Sequence, residues 1–238
     1  AELEAELATI NATIETLKAK DAELDKKIAD LRTYADTEPG KTTDWVNATF
    51  ATLTKYNALV AEVTAIKAQI EAINKSIADG SLALRVTHND TKLNNIMMDR
   101  STGEGICVID LDTCMSSTSL NDVGDALRSY TNTGAEDDQD LNRVSMDINM
   151  FEGYIKGYLS ERKASMTQSE IDWLAFSGIY ITYEQVLRFL MDYIDGDNYY
   201  KVRYDGHNLV RTHAQYKLLT SMEEQYERMQ QIVREAVK

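Results

Sequence analysis

A histidine, three asparagines and four aspartates fall within RVTHNDTKLNNIMMDRSTGEGICVIDLDT, residues 85–113. His88-x-Asp90 followed by Asn95 gives H-x-D-x-x-x-x-N, and Asp110 comes 15 positions after Asn95. These are the residue types that phosphoryl transfer uses. A carboxylate orients the attacking hydroxyl and accepts its proton, while an amide oxygen and a second carboxylate hold Mg²⁺ against nucleotide phosphates. Mg²⁺ is hard, prefers oxygen ligands and keeps several waters, so an Asn and an Asp suit it. The spacing presents a base on a loop and then a metal ligand at the entry to a strand, and a hairpin returns Asp110 beside Asn95. The alternative is an acidic turn beside a β-hairpin, because a lone H-x-D is common where strands run into loops.

The elements that must position this cluster are of two kinds. All nine Met, all three His and both Cys come after Gly80, whereas the first 80 residues are mostly Ala, Leu, Ile, Thr, Lys and acids. Leu3, Leu7, Ile10, Ile14, Leu17, Leu24, Ile28 and Leu31 form a seam in steps of three and four that Asp21 interrupts once. The only proline, Pro39, sits in a turn signal, with Asp44 placed to cap a second helix. A second seam runs through Tyr56, Leu59, Val63, Ile66, Ile70, Ile73 and Ile77 and stops at Gly80. Two seams and one turn predict an antiparallel helical, coiled-coil-like hairpin over residues 1–80. Its apolar stripe is first of all a packing surface. An exposed edge of it would meet either the second half or another copy of the chain, giving a homo-oligomer.

Residues 81–238 read differently. LALRVTH and ICVID have the pattern of short strands, and IMMD pairs with ICVID across RSTGEG. Met97 and Met98 should alternate, one buried and one lining the cleft. Beyond Asn121 the chain reads as helical: TQSE at 167–170 is a capping-box spacing ahead of a long helix through Leu190, and residues 208–237 form a last amphipathic helix. The fold class is thus mainly α, an N-terminal hairpin joined to a lobe with a small β-hairpin and a helical bundle.

Bulk properties narrow the function classes. A net charge of −14 argues against broad nucleic-acid binding, which depends on Lys and Arg meeting phosphates. It also means that a phosphorylated ligand needs a metal or a few focused basic groups. No apolar run approaches the ~20 residues of a membrane span, and there is no signal-peptide pattern. Cys107 and Cys114 form no CxxC pair and read as reduced thiols of a cytoplasmic protein.

HNDTKLNNIM…CVIDLDT resembles the aminoglycoside/choline-kinase-like phosphotransferases, a branch of the protein-kinase fold, and most of all their N-acetylhexosamine 1-kinase group. The likeness continues through SLNDVGDALRSYTNTGAEDD, DINMFEGYIKGYLSE and RFLMDYIDGDNYYKVRYDGHNLVRTHAQ, about residues 82–236. It implies ATP and Mg²⁺ as cofactors and a sugar such as an N-acetylhexosamine as substrate. By the same resemblance Asp90 is the catalytic base, Asn95 and Asp110 are the metal ligands, and Lys92 neutralises charge on the transferring phosphate. His88 braces the loop. Asp112, Thr113 and Arg211 are candidates for substrate contacts. Asp122 and Asp125 are expected to cap a helix and steady the loop. An acid at Asp112 would equally bond local backbone N–H groups, and Asp122 and Asp125 are caps first. Tyr199, Tyr200 and Tyr204 would pack under a long loop, with stacking on a sugar ring as the alternative.

The family's N-terminal lobe is a β-sheet with a Gly-rich loop and a phosphate-binding Lys. Residues 1–80 show no such pattern, and the hairpin stands in its place. The chain can then be read in two ways: as a sugar-kinase lobe in which Asp90 serves transfer from ATP, impaired because the nucleotide-binding lobe is absent, or as a non-catalytic, truncated or chimeric kinase lobe whose hairpin is a scaffold or oligomerisation element.

Overall fold

A computed structural model describes residues 64–238 together with Lys26. The first seam, the turn at Pro39 and the part of the second seam before residue 64 lie outside the described residues. The chain divides into two compact units, Ala1–Ala65 and Ile66–Lys238. Gly80, where composition changes, falls inside the second unit. The reason lies in the seam: Ile66 and Ile73 are buried in the same core as Leu82, with Ile70 and Ile77 packed against it. These four isoleucines lie on helix α1, described over residues 64–78. The helix ends where Gly80 takes a left-handed φ of 79°, a conformation that costs glycine nothing.

Four short strands come next. Strand β1, Leu84–Thr87, pairs antiparallel with β4, Met115–Thr118, in the register Leu84↔Thr118 to Thr87↔Met115. Strands β2, Ile96–Met98, and β3, Gly105–Val108, make the hairpin that the sequence predicts. Its turn is anchored by Asp99, whose Oδ1 accepts the Ser101 hydroxyl and the N–H groups of Ser101 and Thr102. Those bonds hold the carboxyl down at about 2. The expected alternation of Met97 and Met98 fails. A register shift between them breaks the period of two, and both are half exposed.

The remainder is helical: α2 (Ser119–Tyr130), α3 (Ile148–Arg162), α4 (Gln168–Ile194), α5 (His207–Glu224) and α6 (Tyr226–Ala236). Helix α4 starts in a full capping box. The Thr167 hydroxyl accepts the Glu170 N–H at 3.1 Å, and the Glu170 carboxylate accepts the Thr167 N–H at 2.7 Å. The single last helix expected from the sequence is two. Gln225 leaves helical geometry at φ −102°, ψ 4°, and its side-chain amide donates to the carbonyls of Met146 and Ser221. The break lets α6 turn Met229 and Ile232 into the core shared with Phe151, Ile155, Phe176 and Leu218.

Helices α2 and α4 touch backbone to backbone. A Cβ built on Gly124 would lie 2.3 Å from the Ser177 carbonyl oxygen, so only glycine permits this crossing. The described residues are mainly helical with two small antiparallel sheets, and no described helix is long and apolar enough to cross a membrane.

Candidate active site

The turn out of β1 carries the first chemistry. His88 is 8% exposed, and its ring bridges two backbone groups. Nδ1 accepts the Asp90 N–H at 3.3 Å, so Nε2 carries the proton and donates to the Ile109 carbonyl at 2.9 Å. Asn89 is next, at a left-handed φ of 62°. Both carboxylate oxygens of Asp122, in the first turn of α2, receive the His88 N–H at 3.0 Å, and Oδ1 also receives the Asn89 N–H at 2.7 Å. The Asp122 carbonyl accepts the Thr91 hydroxyl at 2.6 Å. A carboxylate bonded to consecutive N–H groups fixes the path of the loop.

This path presents Asp90. Its Oδ2 lies 2.6 Å from the Lys92 ammonium and accepts the Asn95 side-chain amide at 2.7 Å. Asn95 is 4% exposed, and the same amide also donates to the Asp90 carbonyl at 2.8 Å. Its nitrogen is thus turned toward Asp90, which leaves Oδ1 as the atom that can face a cation. Asp110 arrives next to this pair because the Ile109 N–H donates to the Asn95 carbonyl at 2.9 Å. Asp110 has a left-handed φ of 65°, and its carboxylate belongs to an exposed residue. Asp112 is likewise exposed, whereas the Thr113 hydroxyl donates to the His88 carbonyl at 2.6 Å.

The residues fit a hard cation by donor type: an amide oxygen and a carboxylate from two loops that share a backbone bond. Among the described residues no three His, Cys, Asp or Glu side chains converge as a metal cage. Mg²⁺ held between a protein and nucleotide phosphates needs none, since one or two protein ligands and several waters complete its shell.

Two other candidates lie outside this cluster. Asp125 sits mid-helix in α2 and caps nothing. Its Oδ1 accepts from Arg128 Nη2 at 2.8 Å and Nε at 3.1 Å, and Arg128 continues to Glu136 at 2.8 Å. Arg211 of α5 donates to Asn208 Oδ1 at 2.8 Å and lies over the Phe189 ring, 5.3 Å from its centroid. Those partners belong to α4 and α5.

Residue types alone gave no sign of two supports. Glu170, whose side chain is fully buried, pairs with Arg85 of β1 at 2.5 Å and accepts the Ser119 hydroxyl at 2.8 Å. Burial pushes the Glu170 carboxyl up, but Arg85, the Thr167 N–H and Ser119 outweigh it and hold the group at about 2. The capping box foretold the helix start, not the partner on β1. The second support is Asp192, which accepts the N–H groups of Tyr199 at 2.7 Å and Tyr200 at 2.9 Å and the Asn208 amide at 2.8 Å. Burial raises its carboxyl, and these donors bring it below the ordinary carboxylate range. The aromatic loop between α4 and α5 is therefore built around one carboxylate. Tyr199 is left 74% exposed, and Arg188 lies 5.6 Å from the centroids of both the Tyr199 and Tyr200 rings.

A base candidate clamped by Lys92 and Asn95, with Asp110 tied in by the neighbouring backbone, is the arrangement that phosphoryl transfer requires. Residues 1–159 match the model of the APH phosphotransferase enzyme family, a span that takes in the N-terminal segment, all four strands, α2 and most of α3. The chain belongs to the APH phosphotransferase enzyme family.

Proposed function

We propose that this chain serves ATP- and Mg²⁺-dependent phosphoryl transfer to a sugar hydroxyl, with an N-acetylhexosamine as the acceptor class. The observation that carries the reading is the environment of Asp90: one carboxylate oxygen held by Asn95 at 2.7 Å and by Lys92 at 2.6 Å, on a loop fixed by Asp122. A carboxylate so fixed can orient an acceptor hydroxyl and take its proton as the bond to phosphorus forms. Lys92 then has a second task, balancing charge on the phosphoryl group as it moves. Asn95 Oδ1 and the Asp110 carboxylate would hold Mg²⁺, which when bound neutralises the phosphate oxygens.

The acceptor side rests on Asp112, whose exposed carboxylate can accept hydroxyl protons of a sugar. The exposed apolar side chains of β3, Ile106 and Val108, which share one face of the hairpin, offer the kind of surface that a nucleobase covers.

Isothermal calorimetry with a non-hydrolysable ATP analogue, with and without Mg²⁺, and then with N-acetylhexosamines, tests the reading. Metal-dependent nucleotide binding, together with sugar 1-phosphate formation from ATP, is the expected result. Sugar binding without nucleotide binding would reduce the chain to an acceptor-binding lobe. Silence from both would overturn the reading in favour of a non-catalytic lobe.

A further inference from the structure

We propose that Asn89 and Thr113 are positioning residues that fix the separation between the Asp90 loop and the Asp110 loop. The proposal rests on the phosphotransfer reading above and adds to it the device that sets the geometry.

Asn89 stands between the two residues of the H-x-D motif in a left-handed conformation, φ 62°. Glycine adopts that conformation most easily, and asparagine is one of the few other residues that visit it. What asparagine adds here is a side chain engaged at both ends. Its Oδ1 accepts the Thr87 hydroxyl at 3.0 Å, and its Nδ2 donates to the Thr113 carbonyl at 3.0 Å. Thr113 answers in kind, its hydroxyl donating to the His88 carbonyl at 2.6 Å. Side chain meets backbone in both directions between the same two segments.

A third bond completes the pattern, from His88 Nε2 to the Ile109 carbonyl at 2.9 Å. The attachments on the second loop are therefore Ile109 and Thr113, which bracket Asp110 and Asp112. Those on the first loop are His88 and Asn89, the two residues immediately before Asp90. The short loop between β3 and β4 is held at both ends by the residues that deliver the base. With its hydroxyl engaged in this way, Thr113 acts on transfer through the backbone rather than by touching the acceptor. A displacement of about 1 Å at a reacting group is enough to lower a rate by roughly 10²-fold, so a clasp of this kind has a kinetic signature.

The test uses the full chain and four variants, Thr113→Val, Thr113→Ser, Asn89→Gly and Asn89→Asp. Each is read by kcat and KM and by hydrogen–deuterium exchange over the peptides containing 84–92 and 107–116. Thr113→Val should lower kcat by about 10–100-fold, leave both KM values near wild type, and raise exchange in both peptides together. Thr113→Ser keeps the hydroxyl and should restore both readouts. Asn89→Gly keeps the backbone conformation but removes the bonds, and should behave like Thr113→Val. Asn89→Asp cannot donate to the Thr113 carbonyl and should behave the same way.

Wild-type kcat and exchange in Thr113→Val would overturn the proposal. So would failure of Thr113→Ser to restore either, because the methyl packing and not the hydroxyl would then matter. Exchange is read independently of turnover. Paired changes in exchange, with no transfer by any protein including the wild type, would keep the clasp and count against the phosphotransferase reading instead.

Discussion

Asp90 and Lys92, two residues apart in sequence, form an ion pair of 2.6 Å across the bend of the loop. About a quarter of the Asp90 side chain is exposed, and rather more of Lys92. The pair is open enough to be parted by an arriving phosphate. Asp90→Asn should abolish transfer while leaving the urea midpoint nearly unchanged, since Asn95 and Lys92 keep other partners or solvent. Lys92→Ala should lower kcat by about 10²-fold, the low end for losing one stabiliser of the transition state, because Lys92 is partly open to solvent. A steady-state assay of sugar phosphate formation decides both, and a wild-type rate in Asp90→Asn would remove Asp90 from the role of base.

Acid stability should report Glu170. Its carboxyl titrates at about 2 in the folded protein, below the ordinary glutamate value of 4.5. The stability it contributes is therefore full above pH 4.5 and is lost as pH falls from there towards 2. Glu170→Gln should flatten that part of the stability–pH curve. At neutral pH it should cost about 3 kcal/mol, the low end for breaking a buried pair, because Arg85 keeps partial contact with water. Urea unfolding across the acid range up to neutral pH would show it, and parallel curves for the two proteins would mean that another carboxyl governs the acid limb.

Asp122→Asn should separate binding from turnover. An amide can present only one oxygen to the N–H groups of His88 and Asn89, so the loop loses definition although every substrate-facing group stays. The expected outcome is a fall in kcat with little change in KM, and a stability loss of about 1–3 kcal/mol for an unsatisfied buried donor. An unchanged kcat would show that the loop keeps its path without this carboxylate.

The aromatic loop should open when Asp192 is removed. Asp192→Ala leaves the N–H groups of Tyr199 and Tyr200 without their acceptor, and the local cost should be about 2–4 kcal/mol. Limited proteolysis should then cut near Lys201 and Arg203 well before the helices are attacked. Equal cutting rates in wild type and variant would show that the loop is held by its ring contacts instead.

The helical parts of this lobe were legible because their signals are local. The capping box at Thr167 and Glu170, the β2–β3 turn and the seam from Ile66 to Ile77 each lie within a few residues of their consequences. The H-x-D-x-x-x-x-N spacing was legible for the same reason. Partners distant in sequence could not be read. The pairing of β1 with β4 crosses about thirty residues, and Glu170 meets Arg85 across 85. Gln225 ends a helix through a bond to Met146, 79 positions away, although its neighbours favour continuing. Asp125 looked like a cap beside Asp122, yet it lies nearly a turn further along α2, where its carboxylate pairs with Arg128.

Gly124 turns this packing into a gauge. It lies two residues after Asp122 on one rigid helix, and the Ser177 carbonyl leaves no room for a methyl group. Any side chain at 124 must push α2 off α4, and Asp122 would ride with the helix away from the two N–H groups it holds. Gly124→Ala should then lower turnover from within the core, in a protein that still unfolds cooperatively, and kinetics beside urea unfolding would check it. The alignment of the loop is thus inherited from the distance between two helices.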